Sequence, residues 1–207
     1  MYRKDNPNQL KYENYYRYIK YLKAIIAVYF CVFSCTETYG KTKTIFDDFY
    51  EGNLRIETTI AAGLSYEDHS DRKGDYYFAD SIEYEWPVYK PMSMGIRYYP
   101  KFIYLQSEHE KGQSDTVYAQ ACGFVFRFYP NKNFKGLFNE IGSSLMWNES
   151  LYNYNASHIN ILTEIGIGYK FDSKLHLSLK IQHISNANMK SPNYGINGLA
   201  LSLGFTF

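Results

Sequence analysis

The sequence predicts an all-β fold: an eight-stranded antiparallel transmembrane β-barrel of the outer-membrane type. Three observations support this prediction. Apolar side chains alternate with a period of two from residue 53 to residue 207, the period of a strand with one apolar face. Aromatic residues make up 19% of the 207-residue chain, as expected if Tyr and Phe form interfacial girdles. The connections between these segments are short and long in turn, as in outer-membrane barrels.

The first four predicted strands each carry their large apolar residues on one face. The strand at 53–66 has Leu54, Ile56, Ile60, Ala62 and Leu64. The strand at 76–88 has Phe78, Ile82, Tyr84 and Trp86. The strand at 92–105 has Met94, Ile96, Tyr98, Phe102 and Tyr104. The strand at 116–129 has Cys122, Phe124, Phe126 and Phe128.

The last four predicted strands repeat this pattern. The strand at 137–148 has Ile141, Leu145 and Trp147. The strand at 159–171 has Ile161, Ile165, Ile167 and Tyr169, and the strand at 175–185 has Leu177, Leu179 and Ile181. The strand at 198–207 is the clearest, with Leu199, Leu201, Leu203, Phe205 and Phe207 alternating with small or polar residues. Its terminal aromatic residue resembles the one that outer-membrane barrels present to their assembly machinery.

The opposite faces of the predicted strands carry five acids and five bases. They are Arg55, Glu57, Glu83, Glu85, Arg97, Lys101, Arg127, Glu140, Glu164 and Lys180. Balanced charge suits a narrow barrel interior, where ions must pair to offset desolvation, and eight strands leave room for side chains but no channel. A soluble β-sandwich or a lipocalin-like barrel is the alternative, with this polar face in water instead.

The N-terminal region predicts export. A basic stretch at 17–23 precedes twelve residues, AIIAVYFCVFSC, at 24–35, the pattern of a secretory signal and too short to span a bilayer. We expect a signal peptide at 1–35 with an over-long start, a periplasmic segment at 36–52 and the barrel at 53–207. A buried core helix at 24–35 and lipidation at Cys35 remain alternatives.

Several function classes are disfavoured by composition. The net charge of +1 gives no basic footprint for nucleic acid. Three cysteines, of which only Cys122 lies outside the leader, exclude a disulfide framework and a cysteine-based zinc site. The histidines show no metal-ligand spacing, so we expect neither a metal nor a cofactor.

The lipid-facing side of the strand at 175–185 changes from apolar to polar at its end, where His183 and Ser185 follow Ile181. Residues i and i+2 of a strand share a face, with Cβ atoms about 7 Å apart. A side-chain rotation brings the imidazole within hydrogen-bond range of the hydroxyl, the pairing that activates a serine nucleophile. The alternative is that the strand leaves the hydrocarbon here and both residues simply lie at headgroup level.

Residues 183–197 read HISNANMKSPNYGIN, and this segment resembles the active-site segment of the PagL-type lipid A 3-O-deacylases. The resemblance implies an outer-membrane serine esterase that hydrolyses an ester-linked acyl chain of lipopolysaccharide. It further implies Ser185 as nucleophile and His183 as base, with an oxyanion role near Asn186 and a supporting role for Asn193. Lipid A and the outer membrane are the implied partners, and a homodimer is left open.

The segment departs from the family pattern at one position, where a glutamate that orients the histidine is replaced by Asn197. No Asp or Glu follows residue 172. We therefore predict Asn197 as the orienting residue, through its amide oxygen. The competing account is an acid from another loop, such as Glu108, Glu110 or Glu149. The competing functions are a non-catalytic binding or structural barrel and a lipid A acyltransferase.

Overall fold

Eight antiparallel strands form a closed barrel in which each strand pairs with its neighbours in chain order and β8 pairs with β1. This computed structural model describes residues 52–64, 72, 74–107, 114–131 and 134–207. The strands are β1 Asn53–Leu64, β2 Tyr76–Tyr89, β3 Met92–Leu105, β4 Thr116–Phe128, β5 Gly136–Asn148, β6 Ile159–Lys170, β7 Leu175–Ser185 and β8 Ile196–Thr206. Each predicted strand is confirmed, with ends that differ by no more than two residues. The predicted leader, Cys35 and residues 36–51 lie outside the described residues.

The barrel has a short-turn end and a long-loop end. The β2–β3, β4–β5 and β6–β7 connections lie at the short-turn end. The other four connections, β1–β2, β3–β4, β5–β6 and β7–β8, lie at the long-loop end. Outer-membrane barrels carry their long loops on the outer surface. The long-loop end is therefore the outer end, and β7 ends there at Ser185.

The outer wall is mainly apolar along the eight strands, as the alternation predicts, although it also carries the hydrogen-bonded pair Thr58–Asp80 and the exposed Lys101. Leucine and isoleucine side chains remain well exposed there, as shown by Leu145 at 63%, Ile165 at 59% and Leu203 at 57%. A wall of this kind is unfavourable in water but matches the hydrocarbon of a bilayer. Among the described residues no helix is long and apolar enough to cross a membrane.

The interior is filled by a network of paired charges. Arg127 Nη2 lies 2.9 Å from Glu83 Oε2, and its Nε lies 2.9 Å from Glu140 Oε2. Arg97 contacts Glu83, Glu140 and Glu164 at 2.8, 3.3 and 3.2 Å. All of these side chains are at least nine-tenths buried. Because each ion faces more than one opposite charge, the network offsets the cost of removing the ions from water.

The predicted face of strand β3 is wrong over its last residues. Phe102 and Tyr104 are buried, although the alternation placed them on the lipid side, and Lys101 is exposed rather than internal. The pairing of β3 with β4 shifts register between Tyr99 and Phe102, at Pro100. One extra residue at such a bulge moves every following side chain to the other face.

Trp86 is a second correction, because it is 3% exposed and not lipid-facing. Its neighbour Glu85 is buried as well, so the alternation of β2 stops at this point. Pro87 follows, and the pairing of β2 with β3 is irregular between Pro87 and Tyr89. Proline has no N–H for the ladder, which accounts for the loss of regular pairing near this strand end.

The interior network generates a stability prediction. Replacing Arg127 with leucine leaves Glu83 and Glu140 without one of their cations, and breaking a buried pair typically costs about 3–5 kcal/mol. We expect the free energy of unfolding in detergent to fall by about this amount. The measurement is urea unfolding of the folded, heat-modifiable form, whose midpoint should move to a lower urea concentration. Lys135→Ala is the control, because its pair with Asp172 is exposed and contributes little. Equal midpoints for both variants would show that the network does not stabilise the barrel.

Candidate active site

His183, Ser185 and Asn197 lie together on the outer wall at the long-loop end. His183 and Asn197 are directly opposite each other in the β7–β8 ladder, and Ser185 is opposite Ile161 in the β6–β7 ladder. All three polar side chains are partly exposed, whereas Ile184 between the first two points inward and is buried. The prediction that His183 and Ser185 share the lipid-facing side is therefore confirmed.

The imidazole of His183 is oriented by Asn197. The distance from His183 Nδ1 to Asn197 Oδ1 is 2.8 Å. An amide oxygen only accepts hydrogen bonds, so Nδ1 carries the proton and donates it. The neutral ring then has its lone pair on Nε2. This is the tautomer that a general base toward Ser185 requires.

Gly195 gives the His183 ring the space it occupies. A Cβ atom at position 195 would lie 2.4 Å from His183 Cε1 and 3.2 Å from Nε2. No side chain fits at that distance, so the glycine lets the backbone of the β7–β8 loop pass directly against the ring. The sequence motif contains this glycine, but its role was not predicted because the contact joins two segments that only the fold brings together.

Ser185 is on the same face as His183, yet no hydrogen bond joins its Oγ to the imidazole in the part of the chain that the structure describes. Catalytic hydrogen bonds are often long or poorly aligned without substrate. The arrangement therefore provides an oriented imidazole and a serine hydroxyl two residues away on the same face.

A tight turn follows Ser185 directly. The turn is closed by the N–H of Met189, which donates to Asn186 O at 3.0 Å. Its two central residues, Ala187 and Asn188, have positive φ angles of 52° and 62°. Such conformations are costly for residues other than glycine and persist where the surroundings determine them. The turn thus fixes the backbone amides that follow the serine.

Asn186 and Asn193 hold this turn. The N–H of Asn186 donates to Asn193 Oδ1 at 2.9 Å, and Asn193 Nδ2 donates to Asn188 Oδ1 at 3.0 Å. Asn186 is fully buried, and its Nδ2 donates to Asn155 Oδ1 and to Lys190 O. Both amide hydrogens of Asn186 are therefore engaged, whereas Asn193 Nδ2 has a second hydrogen.

Of the three acids considered as substitutes for the missing glutamate, only Glu149 lies within the described residues, and its side chain forms no hydrogen bond to His183, whose Nδ1 is paired with Asn197. Glu149 is exposed, and its backbone N–H pairs with Tyr118 O at the start of the β5–β6 loop. Glu108 and Glu110 lie outside the described residues. Nor does any cluster of three or more His, Cys, Asp or Glu side chains in the described part have the form of a metal site.

A family model for the lipid A 3-O-deacylase PagL matches residues 81–206, which is more than half of the chain. The chain belongs to the PagL lipid A 3-O-deacylase family. The match runs from within β2 to the end of β8, and His183, Ser185 and Asn197 lie inside it. No curated protein sequence matches the chain significantly.

The fold agrees with that of a solved structure. The crystal structure of the outer membrane enzyme PagL superimposes with a TM-score of 0.55 at 16% identity, covering 73% of this chain and 98% of that one. Neisserial surface protein A, at 12% identity, gives a TM-score of 0.47 over 75% of this chain and 97% of that one. The predicted family, the barrel fold and the outer-membrane location are confirmed, and the homodimer stays a prediction.

The contact between Gly195 and the imidazole generates a spectroscopic prediction. In Gly195→Ala the new methyl group displaces the ring, because its nearest neighbour is an atom of the ring itself, at 2.4 Å. We expect the imidazole ¹⁵N signals of His183 to move from the Nδ1–H tautomer toward a mixture, in labelled protein in detergent. Gly142→Ala is the control, since a Cβ atom there meets no atom closer than 3.3 Å. Unchanged His183 signals in Gly195→Ala would contradict the packing described here.

Proposed function

We propose that this protein is an outer-membrane serine esterase that hydrolyses an ester-linked acyl chain of lipid A. The observation that carries the proposal is the hydrogen bond of 2.8 Å from His183 Nδ1 to Asn197 Oδ1, on the lipid-facing wall two residues from Ser185. A wall in contact with hydrocarbon gives no stabilisation to an oriented imidazole, so the arrangement calls for a chemical explanation. Family membership supports the same chemistry.

The surroundings of the site suit a lipid substrate. Below His183, toward the membrane interior, the wall consists of aliphatic side chains, with Ile181 53% exposed and Leu179 47% exposed. Leu199 and Leu201 lie opposite them in β8. Acyl chains packed on this surface place their ester linkages near the outer interface, at the level of Ser185. The substrate therefore reaches the nucleophile without leaving the bilayer.

The reaction follows from the three side chains. Ser185 Oγ attacks the ester carbonyl carbon while its proton moves to His183 Nε2, and a tetrahedral intermediate forms. Collapse of the intermediate breaks the bond to the sugar oxygen, which takes the proton from His183. Water then attacks the acyl-serine with His183 as base, releasing a free fatty acid and restoring the hydroxyl.

The turn after Ser185 supplies the donors for the oxyanion. Asn193 Nδ2 keeps one hydrogen beyond its bond to Asn188, and the backbone amides of Ala187 and Asn188 are not used to close the turn. Asn186 acts by holding the turn, since its own N–H groups are engaged. Donors fixed in advance are effective because no reorganisation is needed as charge develops.

Replacement of Ser185 and His183 tests the proposed reaction. Ser185→Ala and His183→Ala should each lower the rate of lipid A deacylation by about 10³-fold or more. The barrel should stay folded, since both side chains lie at an interface and lose little packing. The measurement is mass spectrometry of lipid A and of released fatty acid, with heat-modifiable gel mobility as the folding check.

Three outcomes of that experiment decide between functions. Hydrolysis is supported if the wild-type protein releases free fatty acid from lipid A and neither variant does. Acyl chains that appear on a second sugar hydroxyl indicate an acyltransferase instead. Lipid A that is identical with and without the protein indicates a non-catalytic barrel, and deacylation retained by Ser185→Ala would falsify the serine mechanism.

Asn197 generates a separate prediction. Asn197→Ala removes the acceptor of Nδ1–H, so the initial rate should fall by about tenfold or more. Asn197→Glu should retain or raise the rate, because a carboxylate orients the same nitrogen and stabilises the imidazolium of the transition state. Rates are compared in the same detergent. An Asn197→Ala rate equal to that of wild type would remove Asn197 from the mechanism and direct attention to Glu108, Glu110 and Glu149.

A further inference from the structure

Four asparagine side chains form a continuous buried series that ends beside Ser185. Asn148, Asn160, Asn155 and Asn186 are 0, 0, 2 and 0% exposed. Asn160 Nδ2 donates to Asn148 Oδ1 at 2.7 Å, Asn155 Nδ2 donates to Asn160 Oδ1 at 2.8 Å, and Asn186 Nδ2 donates to Asn155 Oδ1 at 3.1 Å. These four residues are called the asparagine chain below. It runs from the end of β5, through the β5–β6 loop and the start of β6, to the β7–β8 loop.

The direction of these hydrogen bonds is fixed at the far end of the asparagine chain. Asn148 Nδ2 donates to the backbone carbonyls of Ser150 and Ser157, at 2.7 and 3.2 Å. Carbonyl groups only accept, so the amide of Asn148 has one orientation and its Oδ1 faces Asn160. Each following amide is oriented by the one before it, and Asn155 consequently presents an acceptor to Asn186.

Asn155 is the link between the two loops. Its Oδ1 accepts from Asn186 Nδ2 and from the N–H of Ser157 at 3.1 Å, and its backbone forms an antiparallel bridge with Asn193. The flanking backbone continues this contact, since Tyr194 N–H donates to Tyr154 O and Ala156 N–H donates to Pro192 O, both at 3.0 Å. The β5–β6 loop thus contacts both Asn186, at the start of the turn that follows Ser185, and residues 192–194, which follow the turn.

We propose that Asn155 is a positioning residue for the esterase reaction, acting through Asn186 on the turn that carries the oxyanion donors. This inference rests on the proposed function. The turn places Ala187 and Asn188 in the left-handed region, and a turn of this kind is kept only where its surroundings hold it. Asn155 keeps the turn in this conformation through its hydrogen bond with Asn186. It lies in a loop that contributes no group to the reaction itself.

Loss of the Asn155 side chain should affect kcat and KM differently. Displacement of the oxyanion donors lowers kcat, since they act on the transition state, and leaves KM nearly unchanged because the acyl chains bind lower on the wall. The bond between His183 and Asn197 is not part of the asparagine chain, so the pH dependence set by the imidazole stays in place. Substitution of a residue that only stabilised the barrel would not lower kcat at a constant KM, and it would not change hydrogen exchange in the β7–β8 loop alone.

The test compares three variants of the full chain in detergent. Asn155→Leu removes every side-chain hydrogen bond of residue 155 and should lower kcat by about 10–100-fold, with KM within about twofold and the acidic limb of the pH–rate profile unmoved. Asn155→Asp keeps an acceptor for Asn186 but loses the Nδ2 donor to Asn160 Oδ1; a protonated aspartic acid can donate there instead, so this variant should lose less than Asn155→Leu. Tyr152→Phe is the control, because it removes one hydrogen bond of the same loop, to Met146 Sδ, without a contact to Asn186.

Hydrogen exchange of residues 186–193 gives a readout that does not depend on activity. Exchange should become faster in Asn155→Leu and stay at the wild-type rate in Tyr152→Phe. A wild-type kcat in Asn155→Leu, or equal losses in Asn155→Leu and Tyr152→Phe, overturns the proposal. If Asn155→Leu does not fold, Asn155→Ala carries the test, because it also removes the acceptor for Asn186 Nδ2, and wild-type kcat with wild-type exchange in that variant overturns the proposal. A wild-type protein without deacylase activity refutes the proposed function, and the exchange experiment still decides whether Asn155 holds the turn.

Discussion

The structure depends on one constraint: within hydrocarbon, every backbone N–H and C=O must find a partner in the protein. A closed ladder of eight strands satisfies it, because pairing of β8 with β1 leaves no open edge. Closure then fixes the chemistry of both surfaces. The outer wall must be apolar, and the narrow interior must be filled by side chains that satisfy one another. The network around Arg97 and Arg127 is the interior consequence, and the exposed aliphatic wall is the outer one.

The same constraint makes polar residues on the outer wall informative. His183, Ser185 and Asn197 lie where β7 and β8 reach the long-loop end, so they are close to headgroups while the chains of a lipid lie on the wall below. The ladder places His183 opposite Asn197, and the hydrogen bond between them orients the ring. In the proposed mechanism, the rigid sheet therefore provides the base and its orienting group, and the turn held by Asn186 and Asn193 provides the oxyanion donors. Substrate chemistry at a membrane surface needs both parts.

Much of this architecture could be predicted from sequence, because a period of two is a local signal. Eight strands and the shared face of His183 and Ser185 follow from that period, and Asn197 follows from its place in the motif. The errors occur where the period breaks. The bulge near Pro100 turned Phe102 and Tyr104 inward and Lys101 outward. A proline inside a strand pattern is compatible with a bulge, but the proline alone does not specify that the register shifts by one residue.

Other features were beyond sequence reasoning because they join distant segments. Gly195 fits under the His183 ring only after β7 and β8 pair, and the contact of Asn155 with Asn186 joins two loops separated by two strands. Asparagines in loops are ordinary in composition, so the asparagine chain gives no signal until the loops meet. Local patterns therefore predicted the frame and placed the proposed reacting side chains on one face, whereas the groups that hold them in place depend on the folded barrel.

The central claim is that Ser185 is a nucleophile activated by His183 on the outer wall. Covalent labelling tests it most directly: the folded protein is treated with a fluorophosphonate in detergent, and the modified peptide is identified by mass spectrometry. We expect one adduct, on Ser185, and we expect it to form much more slowly in His183→Ala. Absence of an adduct on Ser185, or labelling at an equal rate in His183→Ala, would contradict it.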